Sequence, residues 1–173
     1  YERIDPLLGD EEDFRTLCAE AKQRGIRVML DGVFNHTGRK SVYFNADGFY
    51  PDLGAAQGEA SPYYRWYSFH PFPTDYDAWW GIRNLPAVNE TEPGYIDYIV
   101  TGEHSIIRRW LRAGASGWRL DVADELPDSF IEKIRSTIGQ EDPDAYLLGE
   151  VWEDGTTKVA YSQRRRYLLG HET

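Results

Sequence analysis

Residues 117–126 read GWRLDVADEL and set Arg119 and Asp121 two positions apart in an otherwise apolar run. Alternate side chains of a strand share a face, so Trp118, Leu120 and Val122 point one way and Arg119 and Asp121 the other. Taking a charge out of water is costly unless the charge is paired or used. Two more apolar runs carry similar groups: IRVMLDGVF at 26–34 holds Asp31 and is followed by Asn35 and His36, and AYLLGEVW at 145–152 holds Glu150. Taken singly, a strand-end aspartate is more often a turn or capping residue, a buried Arg–Asp pair a structural bridge, and a lone histidine a hydrogen-bonded one. Acids at the ends of three successive strands resist that account. An Asp and a Glu projecting into one mouth supply the parts for two-carboxylate glycoside hydrolysis, one attacking as nucleophile and the other protonating the leaving oxygen and then activating water. That chemistry needs one low and one raised pKa, and a neighbouring Arg119 would keep Asp121 ionised.

The elements that must position these groups alternate. Residues 10–25 predict a helix capped by Asp10, with Phe14, Leu17, Cys18 and Ala21 on one apolar stripe and Gly25 as its stop. The strand at 26–34 follows. Residues 93–113 return to helix, with Gly102 breaking it near the middle, and the strand at 117–123 comes next. A helix at 127–138, a turn at QEDPD, the strand at 145–152 and a helix at 156–168 complete the pattern. Alternating helices and strands mean an α/β fold with a parallel sheet, whose catalytic groups gather at the carboxyl ends of its strands. Three strands cannot close a barrel. Both ends look cut, so an eight-stranded βα barrel is the natural parent and an open doubly wound sheet the alternative. No GxGxxG or GxxxxGK[ST] follows a strand, which lowers the alternative.

Bulk composition narrows the partners. With 41% hydrophobic residues the chain is globular, and a net charge of −10 argues against nucleic acid and anionic membrane surfaces. No apolar run approaches the roughly 20 residues that span a bilayer, and no stretch resembles a signal peptide. The single cysteine, Cys18, permits no internal disulfide, lies on the apolar stripe as core packing, and fits a cytoplasmic protein. A metal-dependent hydrolase built on Asp31, His36 and Asp121 is a weaker alternative. His36 has no second histidine at ligand spacing, because His70, His104 and His171 fall in loop, helix and tail.

Residues 37–91 are rich in Gly, Pro and aromatics without a sustained helical period, and nine of the twenty residues at 61–80 are Tyr, Trp or Phe. Sugar rings pack their C–H faces on such surfaces. Most of the nine are expected to form a small loop core, with one or two left for a sugar. Four motifs together give the sequence a resemblance to the α-amylase superfamily of glycoside hydrolases. DGVFNH at 31–36, GWRLDVADE at 117–125 and LLGEVW at 147–152 resemble its first three conserved regions, and NLPAVN at 84–89 is similar to the extra motif in its long third loop. WWG at 79–81 beside that motif resembles the neopullulanase, cyclomaltodextrinase and maltogenic-amylase branch.

The resemblance implies a partial (β/α)8 TIM barrel covering about strands 3 to 5, with a long irregular domain-B insertion. Residues 1–36 would be a barrel segment (helix 2 and strand 3), 37–91 the insertion, and 92–173 a barrel segment from helix 3 to the start of helix 5. It implies a retaining hydrolase of α-1,4 bonds in maltodextrins, cyclodextrins or pullulan, acting through a covalent glycosyl-enzyme, with transglycosylation sharing that intermediate. Asp121 would be the nucleophile, Glu150 the general acid/base, Arg119 the group that orients and ionises Asp121, His36 a ligand of sugar hydroxyls, and Asp31 a support acting through Arg119. No cofactor is implied. Calcium is the one candidate ion, through Asn35, in a branch that often lacks it. The chain departs from the family at Asp124, where Asn or Lys is common, and at Ala87, where Lys or Asp is common. The fourth region, with a third catalytic carboxylate, lies beyond the chain. The 173 residues are therefore expected to be inactive alone, and their open strand edges to favour aggregation, a homo-oligomer or a place in something larger. A catalytically inactive carbohydrate-binding protein on the same scaffold is the alternative function.

Overall fold

Asp10 starts the first helix as its sequence suggests. Its side chain accepts from the backbone N–H groups of Glu12 and Asp13 while Asp13 reaches back to the Asp10 N–H, a closed capping box. This structure, a computed structural model, describes residues 1–160 and 162–165. The chain divides into two units, Tyr1–Gly32 with Asp97–Thr173, and Val33–Ile96.

The first unit holds α1 (Glu11–Gln23), β1 (Leu30–Gly32), α3 (Ile106–Arg112), β2 (Gly117–Leu120), α4 (Asp128–Glu141) and β3 (Tyr146–Gly149), while α2 (Pro93–Ile96) belongs to the second. The three strands form a parallel sheet in the order β1-β2-β3. Its register sets Asp31 opposite Arg119 and Arg119 opposite Leu148. Ile106, Ile107, Trp118, Leu120, Phe130, Ile134 and Ile138 are buried and form the core. Arg108 and Arg112 of α3 pair with Glu141 of α4, which ties the two helices at their surface.

Several elements are shorter than the sequence pattern suggests, and each has a local reason. β1 pairs only over Leu30–Gly32, because its partner β2 is four residues long; before that, Val28 meets it through a single bond from Ser116 N–H. The predicted helix at 93–113 is interrupted by a π-helical turn at Asp97–Thr101 and stops at Gly102, whose N–H bonds Asp97 O, where a Cβ would lie 2.7 Å from that oxygen. On α1 only Cys18 is buried, and Leu17 stays 56% exposed. That helix meets α3 through Phe14 against Trp110 and Glu11 against Arg109, so its other flank is open among the described residues.

The helix expected at 156–168 is not formed over its described part. Val159–Ala160 (β4) and Gln163–Arg164 (β5) pair antiparallel instead, with Ser162 in the left-handed region at φ 61°. The hairpin reverses the chain so that Arg165, its N–H on Lys158 O, turns into the interior. The rest of that helix expectation, residues 166–168, lies outside the described residues, as does His171.

The second unit has short 3-10 turns at Ala55–Gln57, Tyr64–Trp66 and Trp79–Gly81, and isolated bridges such as His36 with Ala87. Its core is aromatic: Phe44 is fully buried and packs on Tyr67, Phe69 and Tyr76, and Trp66 packs on Tyr95, whose hydroxyl donates to Phe34 O. Of the nine aromatics at 61–80, Trp66, Tyr67 and Tyr76 are buried, while Phe72 and Trp80 stay exposed. Rings supply the packing that a segment without a sheet cannot otherwise build.

Gly117 admits the close approach of β3. A Cβ there would meet Tyr146 O at 2.3 Å, and its φ of +154° strains any other residue. Gly117→Ala is therefore expected to cost about 3 kcal/mol from overpacking and strain. Urea unfolding checks this; an unchanged midpoint would show that the two strands are not in this register.

Candidate active site

The parallel register brings the predicted charges of three strands to one side chain. Arg119 Nη1 donates to Asp31 Oδ1 and to Asp121 Oδ1, both at 2.7 Å, and Nη2 lies 2.9 Å from Glu150 Oε1. One guanidinium thus holds three carboxylates from the ends of β1, β2 and β3. The cluster is half-buried, with side-chain exposures of 27% for Arg119, 22% for Asp121 and 32% for Glu150, and 57% for Asp31. Arg119 and Asp121 share a face, opposite the buried Trp118 and Leu120, as the alternation requires.

Backbone bonds beyond the strands carry the site forward. Asp121 N–H donates to Gly32 O at 3.2 Å, Glu150 N–H to Leu120 O at 2.9 Å, and Ala123 N–H to Glu150 O at 3.0 Å. Gly149 allows this approach, since a Cβ on it would lie 2.9 Å from the Ala123 methyl. Val122 is the residue that sequence reasoning missed. It is not the last outward residue of a strand but sits in the left-handed region at φ 41° and ψ 48°, where β2 has already ended. A β-branched residue is a true outlier there, at a cost of order 1–3 kcal/mol. The turn aims its N–H at Glu150 Oε2, 3.0 Å away. No sequence signal marks this, because Val122 keeps the apolar identity and burial of a strand residue.

The electrostatics follow from these contacts. Three acids raise the Arg119 pKa well above its ordinary value, with the Asp31 hydrogen bond as the largest cause. The Glu150 carboxyl is held below its ordinary value, first by the Val122 N–H, then by the Trp152 side chain, with Arg119 adding to both. Glu150 is therefore set as a carboxylate, not as the raised acid that two-carboxylate chemistry asks for.

His36 and Asn35 belong to the second unit. His36 is buried, stacks on Trp79 with ring centres 5.1 Å apart, and sets Nδ1 3.3 Å from Asn35 Oδ1. Asn35 turns its amide nitrogen to Glu90 Oε1 at 3.3 Å. Both polar ends of Asn35 are thus engaged, and no cluster of three His, Cys, Asp or Glu side chains able to hold a metal occurs among the described residues.

The family model for the alpha amylase catalytic domain matches residues 1–169. The amylopullulanase of Thermoanaerobacterium saccharolyticum is 37% identical over 174 residues, covering 90% of this chain and 14% of that protein. The intracellular maltogenic amylase of Bacillus subtilis is 38% identical over 156 residues, covering 88% of this chain and 25% of that protein. Among solved structures, the cyclic alpha-maltosyl-(1→6)-maltose hydrolase of Arthrobacter globiformis superposes with a TM-score of 0.70 at 31% identity, over 87% of this chain and 33% of that one. The chain therefore spans a quarter or less of these two curated relatives.

The ion cluster predicts a pH signature. The depressed Glu150 pKa contributes stability that is complete above the unfolded carboxyl value and is lost as pH falls through the lower folded one. Arg119→Met leaves Asp31, Asp121 and Glu150 facing one another without a cation, which favours protonation and makes acid relieve the strain. The gap in Tm between the native protein and Arg119→Met should narrow from pH 7 to about pH 4, near the ordinary carboxyl range. A gap that stays constant over that interval would show that the guanidinium does not hold the three acids together.

Proposed function

The chain belongs to the alpha-amylase catalytic-domain family, and from that premise we propose that the protein is a retaining α-glucan hydrolase acting on α-1,4 bonds of maltodextrins, cyclodextrins or pullulan. The observation that carries the reading is the single Arg119 guanidinium shared by Asp121 and Glu150. Two carboxylates bound to one cation are held near each other at the ends of adjacent strands, and retaining glycosidases need their pair at roughly 5–5.5 Å.

The residues then have distinct tasks. An Asp121 oxygen attacks the anomeric carbon as the glycosidic C–O bond breaks, and Glu150 gives its proton to the leaving oxygen. Water, deprotonated by Glu150, next attacks the same carbon and frees the Asp121 carboxylate. Arg119 orients Asp121 and stabilises its charge, and Asp31 fixes Arg119 from the far side. His36 donates to hydroxyls of the sugar being cleaved. The Val122 N–H, the Trp152 side chain and Arg119 hold Glu150 down; a bound sugar that expels water from the site raises it and so lets it carry the proton.

The architecture joins this reading. β1, β2 and β3 are taken as strands 3 to 5 of a (β/α)8 barrel, with 1–36 and 92–173 as barrel segments and 37–91 as a domain-B insertion. The parallel order β1-β2-β3 and the loop-built second unit support it. A cytoplasmic location is proposed with it. Its support is the single free, buried Cys18 and the name of the intracellular relative.

The test is hydrolysis of β-cyclodextrin, pullulan and starch by the protein at its full natural length. Asp121→Asn should abolish release, and Glu150→Gln should lower it roughly 10²–10⁴-fold on unactivated substrates. The first product should keep the α configuration by NMR. Binding of maltodextrin without any release by the native protein would move the assignment to a carbohydrate-binding scaffold.

A further inference from the structure

Arg165 has a setting that the proposed reaction does not explain. Its side chain is 1% exposed, and its Nε donates to Asp128 Oδ1 at 2.8 Å. Nη1 donates to the carbonyl of Asp124 at 2.6 Å, and Nη2 donates to the carbonyl of Leu126. All three acceptors lie on the stretch that follows Asp121. A guanidinium is the side chain whose fixed fork can hold several acceptors of a tight turn at once. Beside it, Lys158 of the same hairpin segment reaches Asp124 Oδ2 at 3.5 Å and Glu153 Oε1 at 2.9 Å.

What the clamp holds is the turn Ala123–Glu125, and the residue at its entry is the left-handed Val122. A β-branched residue stays in that region only where its surroundings over-determine it. The turn supplies two bonds to one neighbour: Val122 N–H to the Glu150 carboxylate and Ala123 N–H to the Glu150 carbonyl, each at 3.0 Å. We propose that Arg165 is a positioning residue, which fixes the turn after Asp121 so that the Val122 N–H stays on the Glu150 carboxylate. This rests on the reading of Glu150 as the general acid/base. It assigns the β4–β5 hairpin a task in the reaction, acting through backbone at a distance from the reacting atoms.

The groups that face Glu150 are the Arg119 guanidinium of β2, with Asp121 and Asp31 on that same guanidinium, the Trp152 side chain and the Val122 N–H. Of these, the Val122 N–H is the group that the Arg165 clamp reaches through the turn. Releasing the turn removes a bond to the ionised carboxyl and so raises the Glu150 pKa. Glu150 must be protonated to act as acid, so the alkaline limb of kcat/KM moves to higher pH.

The experiment compares Arg165→Lys and Arg165→Met with the native protein at full natural length, on maltotriose and on α-maltosyl fluoride. Fluoride leaves without a proton, so it bypasses the acid. The expected result is a loss of about tenfold or more in kcat/KM on maltotriose and less than about threefold on the fluoride. The alkaline limb should rise by roughly half a pH unit or more, with the acid limb unmoved. Lysine keeps the charge but cannot span three acceptors, so it should not rescue. Asp128→Asn, which leaves both carbonyl bonds in place, should give a smaller loss of the same kind and carries the test if the Arg165 variants do not fold. Equal losses on both substrates, or an unmoved alkaline limb, would overturn the proposal. Glu150→Gln separates the two ideas: undiminished maltotriose hydrolysis in that variant overturns the acid/base reading itself, whereas an inactive Glu150→Gln beside normal Arg165 variants overturns the positioning role alone.

Discussion

Three carboxylates on one guanidinium form the contact on which the rest of this structure turns. Asp31, Asp121 and Glu150 come from the ends of three strands, and without Arg119 they would repel. The contact exists only in one register. Asp31 faces Arg119 across β1 and β2, and a slip of one residue would send Arg119 to the face now filled by Trp118 and Leu120. Apolar burial on one face and ion pairing on the other therefore select the same alignment. Agreement between independent requirements is what lets a four-residue strand be placed without ambiguity.

The sheet is also uneven in its cover. Trp118 and Leu120 are buried on one face, while Tyr146 and Leu148, on the face of Arg119, stay 45% and 49% exposed. Parallel sheets are ordinarily covered on both sides. In the proposed barrel the Arg119 face is the interior, with the exposed Leu148 level with Arg119 and Tyr146 one layer below it. Asp121 and Glu150, beyond that level, would then sit where water and sugar enter.

The sequence made the charged part of this site legible because its signals are periodic. Arg119 and Asp121 two apart in an apolar run, and acids at the ends of two further runs, announce strands with a polar mouth. The helix cap at Asp10 and the break at Gly102 were legible for similar reasons, each being a local chemistry with a local consequence. Other features depend on contacts across the fold. Val122 has the composition of a strand residue, and only the bonds from its turn to Glu150 and Arg165 explain a left-handed backbone there. The segment 156–165 has enough helix-forming residues to suggest a helix, yet burial of Arg165 against Asp128 draws it into a hairpin. Leu17 illustrates the reverse case: its spacing is that of a core residue, but burial needs a neighbour, and among the described residues none covers it.

The same shared cation offers a way to run two opposite proton transfers on Glu150. On the proposed mechanism Glu150 is an acid in the first half-reaction and a base in the second. While Asp121 draws on Arg119, less of that cation's field is left for Glu150, which favours a proton there. When Asp121 becomes an ester its charge is gone. Arg119 then attends more fully to Glu150, which falls toward the carboxylate that a base requires. The Val122 N–H, fixed by the turn, biases Glu150 in one direction throughout, so the change between steps must come from the charge on Asp121 and from water leaving and returning with the sugar. On that mechanism, a rigid backbone donor and one shared cation together would convert the loss of a charge at one carboxylate into a change of role at the other.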